Sequence, residues 1–273
     1  MKLSFSTLGC PEWDVSTVIS RAVEYGFQGI EFRGIRDQLD VTRLPEFTTR
    51  SSETSRRLKN AGLSVACFSS SVFVSHADNI AEDQELEEIK RYAELADRFQ
   101  APFIRVFGGK IGQRSWDQAI LQAAERISGM IELIGDFNVR LVIETHDDWM
   151  DCRHLSRLMQ AVDSPQVGIL WDVNHPFMFI KEDPVATWRE VGEWILHTHW
   201  KDSIVNPAAE HGFDPCLMGE GVVPHSQIYQ LLKDGAYSSY LSLEWEKRWH
   251  PEIPGPEIAF PQYVDYMRQL MKK

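Results

Sequence analysis

The stretch VRLVIETHDDWMDCRHLSRLMQAVDSPQVGILWDVNH, residues 139–175, holds one complete unit of the fold. It opens on a short β-branched run, VRLVIE (139–144), and closes on another, VGILWD (167–172), with a segment of helical period at about 151–163 between them. A strand, a helix and a strand in that order describe a βαβ crossover, and two strands joined by a helix lie parallel in one sheet. Both runs also end on a carboxylate, Glu144 and Asp172.

Outward from this unit the same alternation repeats. Further strand candidates are LSFST (3–7), QGIEF (28–32), LSVACF (63–68), FIRVF (103–107), ILHTHW (195–200) and YLSLEW (240–245). Amphipathic stretches at about 14–25, 50–61, 81–100, 116–136, 183–193, 224–235 and 257–272 separate them. Eight strand–helix pairs in 273 residues predict one (β/α)8 TIM barrel, a fold that takes about 250 residues, with 1–273 as a single domain. Two irregular segments, 201–223 after the seventh strand and 246–256 after the eighth, follow strand ends and so belong to the barrel's active face.

Composition narrows the function. Hydrophobic residues make up 43% and charged residues 25% of the chain, ordinary globular usage with no low-complexity tract. A net charge of −12 without a basic cluster argues against nucleic acid and anionic membrane surfaces as partners, and favours a small polar substrate. No apolar run approaches the length of a membrane span, the N-terminus lacks a signal peptide's apolar stretch, and a cytoplasmic location is expected. Cys10, Cys67, Cys152 and Cys216 are scattered, without the spacing of a zinc knuckle or a disulfide framework. Monomer and homo-oligomer both stay open.

The chemistry gathers at the ends of four consecutive strands: Glu144 in LVIETH, Asp172 in ILWDVNH, His199 in ILHTHWKD and Glu244 in LSLEWE. Side chains alternate across a strand, so Glu144 shares a face with His146, His199 with His197, and Glu244 with Glu246, and one inward parity satisfies every strand. Three carboxylates crowded into a low-dielectric barrel mouth repel one another. A divalent cation removes that conflict and an imidazole completes the shell. Three oxygen donors and one nitrogen favour Mn2+ first, with Mg2+, Co2+ and Zn2+ as the other candidates. The plainer alternative, unrelated loop acids paired with bases, requires four coincidences in a row.

At these residues the chain resembles the xylose-isomerase-like barrel superfamily of sugar and sugar-phosphate isomerases and epimerases. The likeness runs through EYGFQGIEFRG (24–34), FIRVFGG (103–109), IETH (143–146), DVNHP (172–176), HTHWKD (197–202), GEG (219–221) and LSLEWE (241–246). It implies that Glu144, Asp172, His199 and Glu244 are metal ligands and that His175 binds substrate. Proton transfer next to a carbonyl suits such a site, because the cation stabilises the enediolate left when a carbon-bound proton departs. Glu144 and Glu244 are then the catalytic pair, one removing a proton and the other returning it.

Around them His146, His175, Arg105 and Lys201 are expected to meet the substrate, with Arg248 and His250 beside Trp245 and Trp249 capping a sugar ring. His197, one layer deeper, is placed to orient His199. Lys201 has two readings, a substrate contact or a pair with Asp202 or another acid. Arg33 reaches the mouth or pairs on the surface, and it shares its parity with Glu31, which the sequence leaves undecided. The glycines of GEG are read as turns, since no phosphate-loop pattern is present.

Ketohexose 3-epimerases of the superfamily carry a Glu six residues after the fifth-strand ligand and an Arg six after the seventh-strand His. Here those positions are Met150 and Val205, which argues against a free ketohexose. The same barrel serves metal-dependent lyases and dehydratases acting on keto-sugars or keto-inositols, because β-elimination starts with the same proton removal. A non-catalytic sugar-binding barrel and an apurinic endonuclease are the remaining alternatives, the last disfavoured by the negative charge.

Overall fold

The structure, a computed structural model, describes residues 1–77 and 82–272. Its strands are β1 (Lys2–Ser6), β2 (Gly29–Phe32), β3 (Ser64–Ser75), β4 (Phe103–Gly109), β5 (Arg140–Glu144), β6 (Val167–Asp172), β7 (Ile195–Trp200), β8 (Asp202–Val205), β9 (Phe213–Cys216) and β10 (Tyr240–Leu243). The helices are α1 (Val15–Tyr25), α2 (Ser51–Asn60), α3 (Glu82–Phe99), α4 (Trp116–Ile134), α5 (Cys152–Val162), α6 (His175–Ile180), α7 (Pro184–Val191), α8 (His225–Asp234) and α9 (Pro256–Leu270). Eight strands close a parallel barrel in the order β1-β10-β7-β6-β5-β4-β3-β2, ringed by helices, so the chain is a (β/α)8 TIM barrel.

Local chemistry sets the helix limits. The Asp14 carboxylate accepts from Thr17 N at 2.8 Å and starts α1, which Gly26 ends in the left-handed region at φ +83°. Ser115 and Gln118 close a capping box on α4, and Asp151 and Asp183 cap α5 and α7. Outward-facing strand residues pack under these helices, as Phe5 does against Phe27 and Phe260 at 4.7 and 4.5 Å between ring centres. Cys67, Phe103, Val142 and Leu170, on the opposite parity, form a small separate apolar cluster that fills the barrel below the site.

Three elements differ from the sequence reading. The third strand runs to Ser75 rather than ending at 68, because a register shift between Ser69 and Phe73 absorbs the serine run: Ser70 Oγ donates to Arg105 O at 2.8 Å and accepts from Val72 N at 3.2 Å. The segment 201–223, read as irregular, contains the antiparallel hairpin of β8 and β9, paired from Asp202↔Cys216 to Val205↔Phe213. The crossover after β6 holds a short extra helix, α6. Position 81, the expected start of the third helix, lies outside the described residues. Among the described residues no helix is long and apolar enough to cross a membrane.

Candidate metal centre

Glu144 and Asp172 are the last residues of β5 and β6, His199 is the fifth residue of β7, and Glu244 directly follows β10. All four side chains are buried, and one ligand atom from each lies within 4.8 Å of the others. His199 Nδ1 is 3.0 Å from Glu144 Oε1 and 3.3 Å from Glu244 Oε1. The Asp172 carboxylate is aimed by its own chain: Oδ1 accepts from the backbone N–H groups of Asn174 and His175 at 2.8 and 2.9 Å. That leaves Oδ2 for the centre, 2.9 Å from Lys201 Nζ but without hydrogen-bond geometry.

Glu31 is the residue whose place the sequence left undecided. It lies wholly inside the barrel, and four donors converge on it: Ser69 Oγ at 2.7 Å and His199 Nε2 at 2.8 Å on Oε1, His197 Nε2 at 2.8 Å and Ser242 Oγ at 3.0 Å on Oε2. The proton on His199 Nε2 is therefore directed to Glu31, and Nδ1 faces the carboxylates. His197 meets His199 through their shared acceptor Glu31 and by an edge-on ring contact at 5.8 Å. A strand only four residues long gives too little periodicity to fix which of its sides faces in, which is why alternation alone did not find Glu31.

The electrostatics explain what such a cluster requires. Burial pushes the Asp172 carboxyl up to about 6, with Glu244 and Glu144 adding to the rise against Lys201. Burial works against charging His199 too, yet the fields of Glu244, Glu31 and Glu144 overcome it and raise its pKa well above the ordinary value. Lys201 Nζ sits 2.6 Å from Glu244 Oε2 and is held charged by Asp172 and Glu244 despite burial. Among the protein's own groups, the His199 imidazolium, the Lys201 ammonium and the Arg105 guanidinium, 3.3 Å from Glu144 Oε2, stand against the three carboxylates of the cluster and Glu31. The donor set fits a divalent cation, since the carboxylates converge, His199 Nδ1 points at them, and Glu144 Oε2 has no hydrogen bond.

Of the other sequence candidates, several surround this cluster. Lys201 pairs with Asp172 and Glu244 rather than Asp202, whose carboxylate instead accepts from the N–H groups of Ser203, Gly219, Gly221 and Val223 at 2.8–3.2 Å. His175 Nε2 is 3.4 Å from Lys201 Nζ, and burial with the neighbouring ammonium keeps the imidazole well below its usual pKa. His146 packs edge-on against His175 at 4.6 Å and beside Phe107 at 5.0 Å. Arg105, on β4, places Nε 3.3 Å from Glu144 Oε2.

Arg248 and His250 stand apart from the cluster. The Arg248 guanidinium donates to Arg36 O and His250 pairs with the exposed Glu252, so neither contacts the four clustered residues. Arg248 and Trp249 line a separate cavity of about 540 Å³ with Cys10, Trp13, Arg36 and Glu257, among the loops that follow β1, β2 and β10.

A profile of the xylose isomerase-like TIM barrel family matches residues 19–270. The chain belongs to that family. Among solved structures this xylose isomerase-like barrel is similar to the probable 3-DHS dehydratase AsbF of Bacillus anthracis, involved in petrobactin synthesis, at 23% identity and a TM-score of 0.78 over 98% of this chain and 99% of that one. It is also similar to 3-keto-D-glucoside 4-epimerase YcjR of E. coli, at 17% identity and a TM-score of 0.74 over the whole of both chains. At these identities the likeness is one of fold. A curated relative, the 3'-dehydrocarminate deglycosidase alpha subunit of Microbacterium sp., is 28% identical over 98 residues, 36% of this chain. The match spans about a quarter (25%) of that relative's length.

Proposed function

We infer that this chain is a divalent-metal-dependent enzyme that moves a proton next to a carbonyl of a carbohydrate, as an isomerase or epimerase. The observation that carries this reading is the convergence of Glu144, Asp172, His199 and Glu244 within 4.8 Å at the strand ends of the barrel. A bound cation, Mn2+ by the oxygen-rich donor set, supplies Lewis-acid stabilisation of the charge that develops on the substrate oxygens.

The chain's own residues account for the rest. Glu144 and Glu244 stand three strands apart on the ring, so their carboxylates approach a substrate from two sides, one taking the proton and the other delivering it. Lys201, charged and 2.6 Å from Glu244 Oε2, orients that carboxylate. His175, kept neutral by its surroundings, and His146 offer ring nitrogens to substrate hydroxyls. Arg105 holds Glu144 from the opposite side.

A second reading, elimination by a lyase, starts with the same proton removal and ends when a β-hydroxyl departs. Lys201 favours it, because a buried ammonium 3.4 Å from His175 Nε2 is a hydrogen-bond donor and positive charge for a leaving oxygen, and the dehydratase named among the similar folds agrees with it. The test is incubation of the Mn2+-loaded protein with keto-sugars, sugar acids and keto-inositols in deuterated water, followed by NMR and ultraviolet absorbance. Solvent deuterium should enter a substrate C–H position, with Glu144→Gln slowing it about a hundredfold or more. An unsaturated product would select the lyase. Absence of both exchange and elimination across the panel would overturn the enzymatic reading.

A further inference from the structure

Buried guanidinium groups normally find a carboxylate or several carbonyl oxygens, because an unpaired interior charge is costly. Arg33, one residue past β2, does not. It is 6% exposed, its side chain has no hydrogen bond or ion pair among the described residues, and Nη1 is fully enclosed. Burial, and next the field of Arg105, pull its pKa down to about 10. Arg105 is 1% exposed and in a related condition: Nε and Nη1 make no hydrogen bond, and the ring of Phe107 covers Cζ at 3.7 Å.

The two arginines share one level of the barrel. Phe32 of β2 pairs with Phe68 of β3, which puts Arg33 level with Ser69, and Ser69 in turn pairs with Arg105 of β4. Arg33 follows the inward-facing Glu31 by two residues, the spacing that returns a side chain to the same face. Nearby acids are already engaged. Glu144 belongs to the four-residue cluster, Glu31 is filled by four donors, and Glu88 Oε1 accepts from Ser71 N at 2.9 Å. Arg105 has Glu144 Oε2 3.3 Å from its Nε but leaves Nη1 without an acceptor, and Arg33 has no carboxylate of its own, so the two guanidinium groups carry more donor capacity than the described residues satisfy.

We propose that Arg33 and Arg105 form an anion subsite for an acidic group on the substrate, a carboxylate or a phosphate, so that the natural substrate is an acidic carbohydrate or polyol and not a neutral sugar. Planar guanidinium groups match either oxyanion in paired geometry. The assignment of this anion to the substrate rests on the metal-dependent proton-transfer reading, while the anion binding itself does not.

The test uses metal-free full-length protein, so that it reads the subsite without the reaction. Melting temperature is followed against sodium malonate and against inorganic phosphate, with sodium chloride at matched ionic strength as control. Wild type should show a saturable rise with at least one of the two, malonate identifying a carboxylate subsite and phosphate a phosphoryl one. Arg33→Met should weaken that apparent affinity about tenfold or more, and should melt higher than wild type in chloride alone because an unpaired buried charge is gone. Arg33→Gln serves as a second variant if the first folds poorly, with the same loss expected. No saturable response in wild type, or the same response in the Arg33 variants, would overturn the proposal, as would an Arg33→Met protein that melts lower than wild type in chloride. Deuterium exchange that succeeds while this titration fails would reject the subsite and leave the proton-transfer reading standing.

Discussion

His199 is held from two sides, its Nε2 by Glu31 at 2.8 Å and its Nδ1 by two carboxylates of the cluster. Glu31 thereby selects which ring nitrogen is presented to a cation, and it is a positioning residue rather than a ligand of the four-residue cluster. Glu31→Gln places an amide among four donors, so at least one of them must lose its acceptor. Mn2+ affinity measured by calorimetric titration should fall about 10- to 100-fold in this variant while far-ultraviolet circular dichroism stays that of the barrel. An unchanged affinity would show that His199 orients itself. Glu144, Asp172, His199 and Glu244 were legible as a set because each falls at or just past the C-terminal end of a strand and one inward parity satisfies all four. Glu31 and Arg33 were not, because a four-residue strand does not declare which side faces in, and only its neighbours in the closed ring decide it.

At the level of elements, the segment after β7 shows how a loop becomes structure. Asp202 gathers four backbone N–H groups, from Ser203 to Val223, folding the GEG turn back over the start of the β8–β9 hairpin and holding the chain next to Lys201. Gly221 is needed there for space, since a Cβ would stand 2.2 Å from Asp202 Oδ1 and 2.4 Å from Ser203 O. Gly221→Ala should open this turn and raise the rate of limited proteolysis within 201–223 about tenfold, with the barrel itself still folded. Equal cleavage rates would mean the turn accommodates the methyl group. The sequence marked this segment as polar and rich in turn residues, which is true of its composition. Its hairpin closes through the connection 206–212, longer than the two-residue turns whose sequence marks a hairpin.

For the molecule as a whole, the cluster is a concentration of charge inside an otherwise apolar barrel, and a cation should stabilise the folded chain by mass action. Mn2+ at a hundred times its dissociation constant should add about 2.7 kcal/mol, read as a rise in melting temperature that a chelator reverses. The pH dependence has a definite sign. His199 has a raised pKa in the metal-free fold, so its proton stabilises that fold fully below the ordinary value of about 6.5 and less as pH climbs through the higher folded value. A cation must displace that proton, so the melting rise caused by Mn2+ should grow with pH, and calorimetry in buffers of different ionisation enthalpy should detect protons released on binding. A metal response independent of pH would place the cation elsewhere.

By itself the sequence determined the eightfold alternation, and with it the barrel and the four strand ends that carry acid or imidazole, because hydrophobic periodicity and strand length are properties of a local stretch of chain. Closure of the ring decided the rest: that Glu31 turns inward and Arg33 is buried, that Lys201 bridges Asp172 and Glu244, and that Arg248 and His250 stand away from the cluster. Those facts depend on which distant residues are brought within a few ångströms, and burial, pairing and charge balance exist only once they have been.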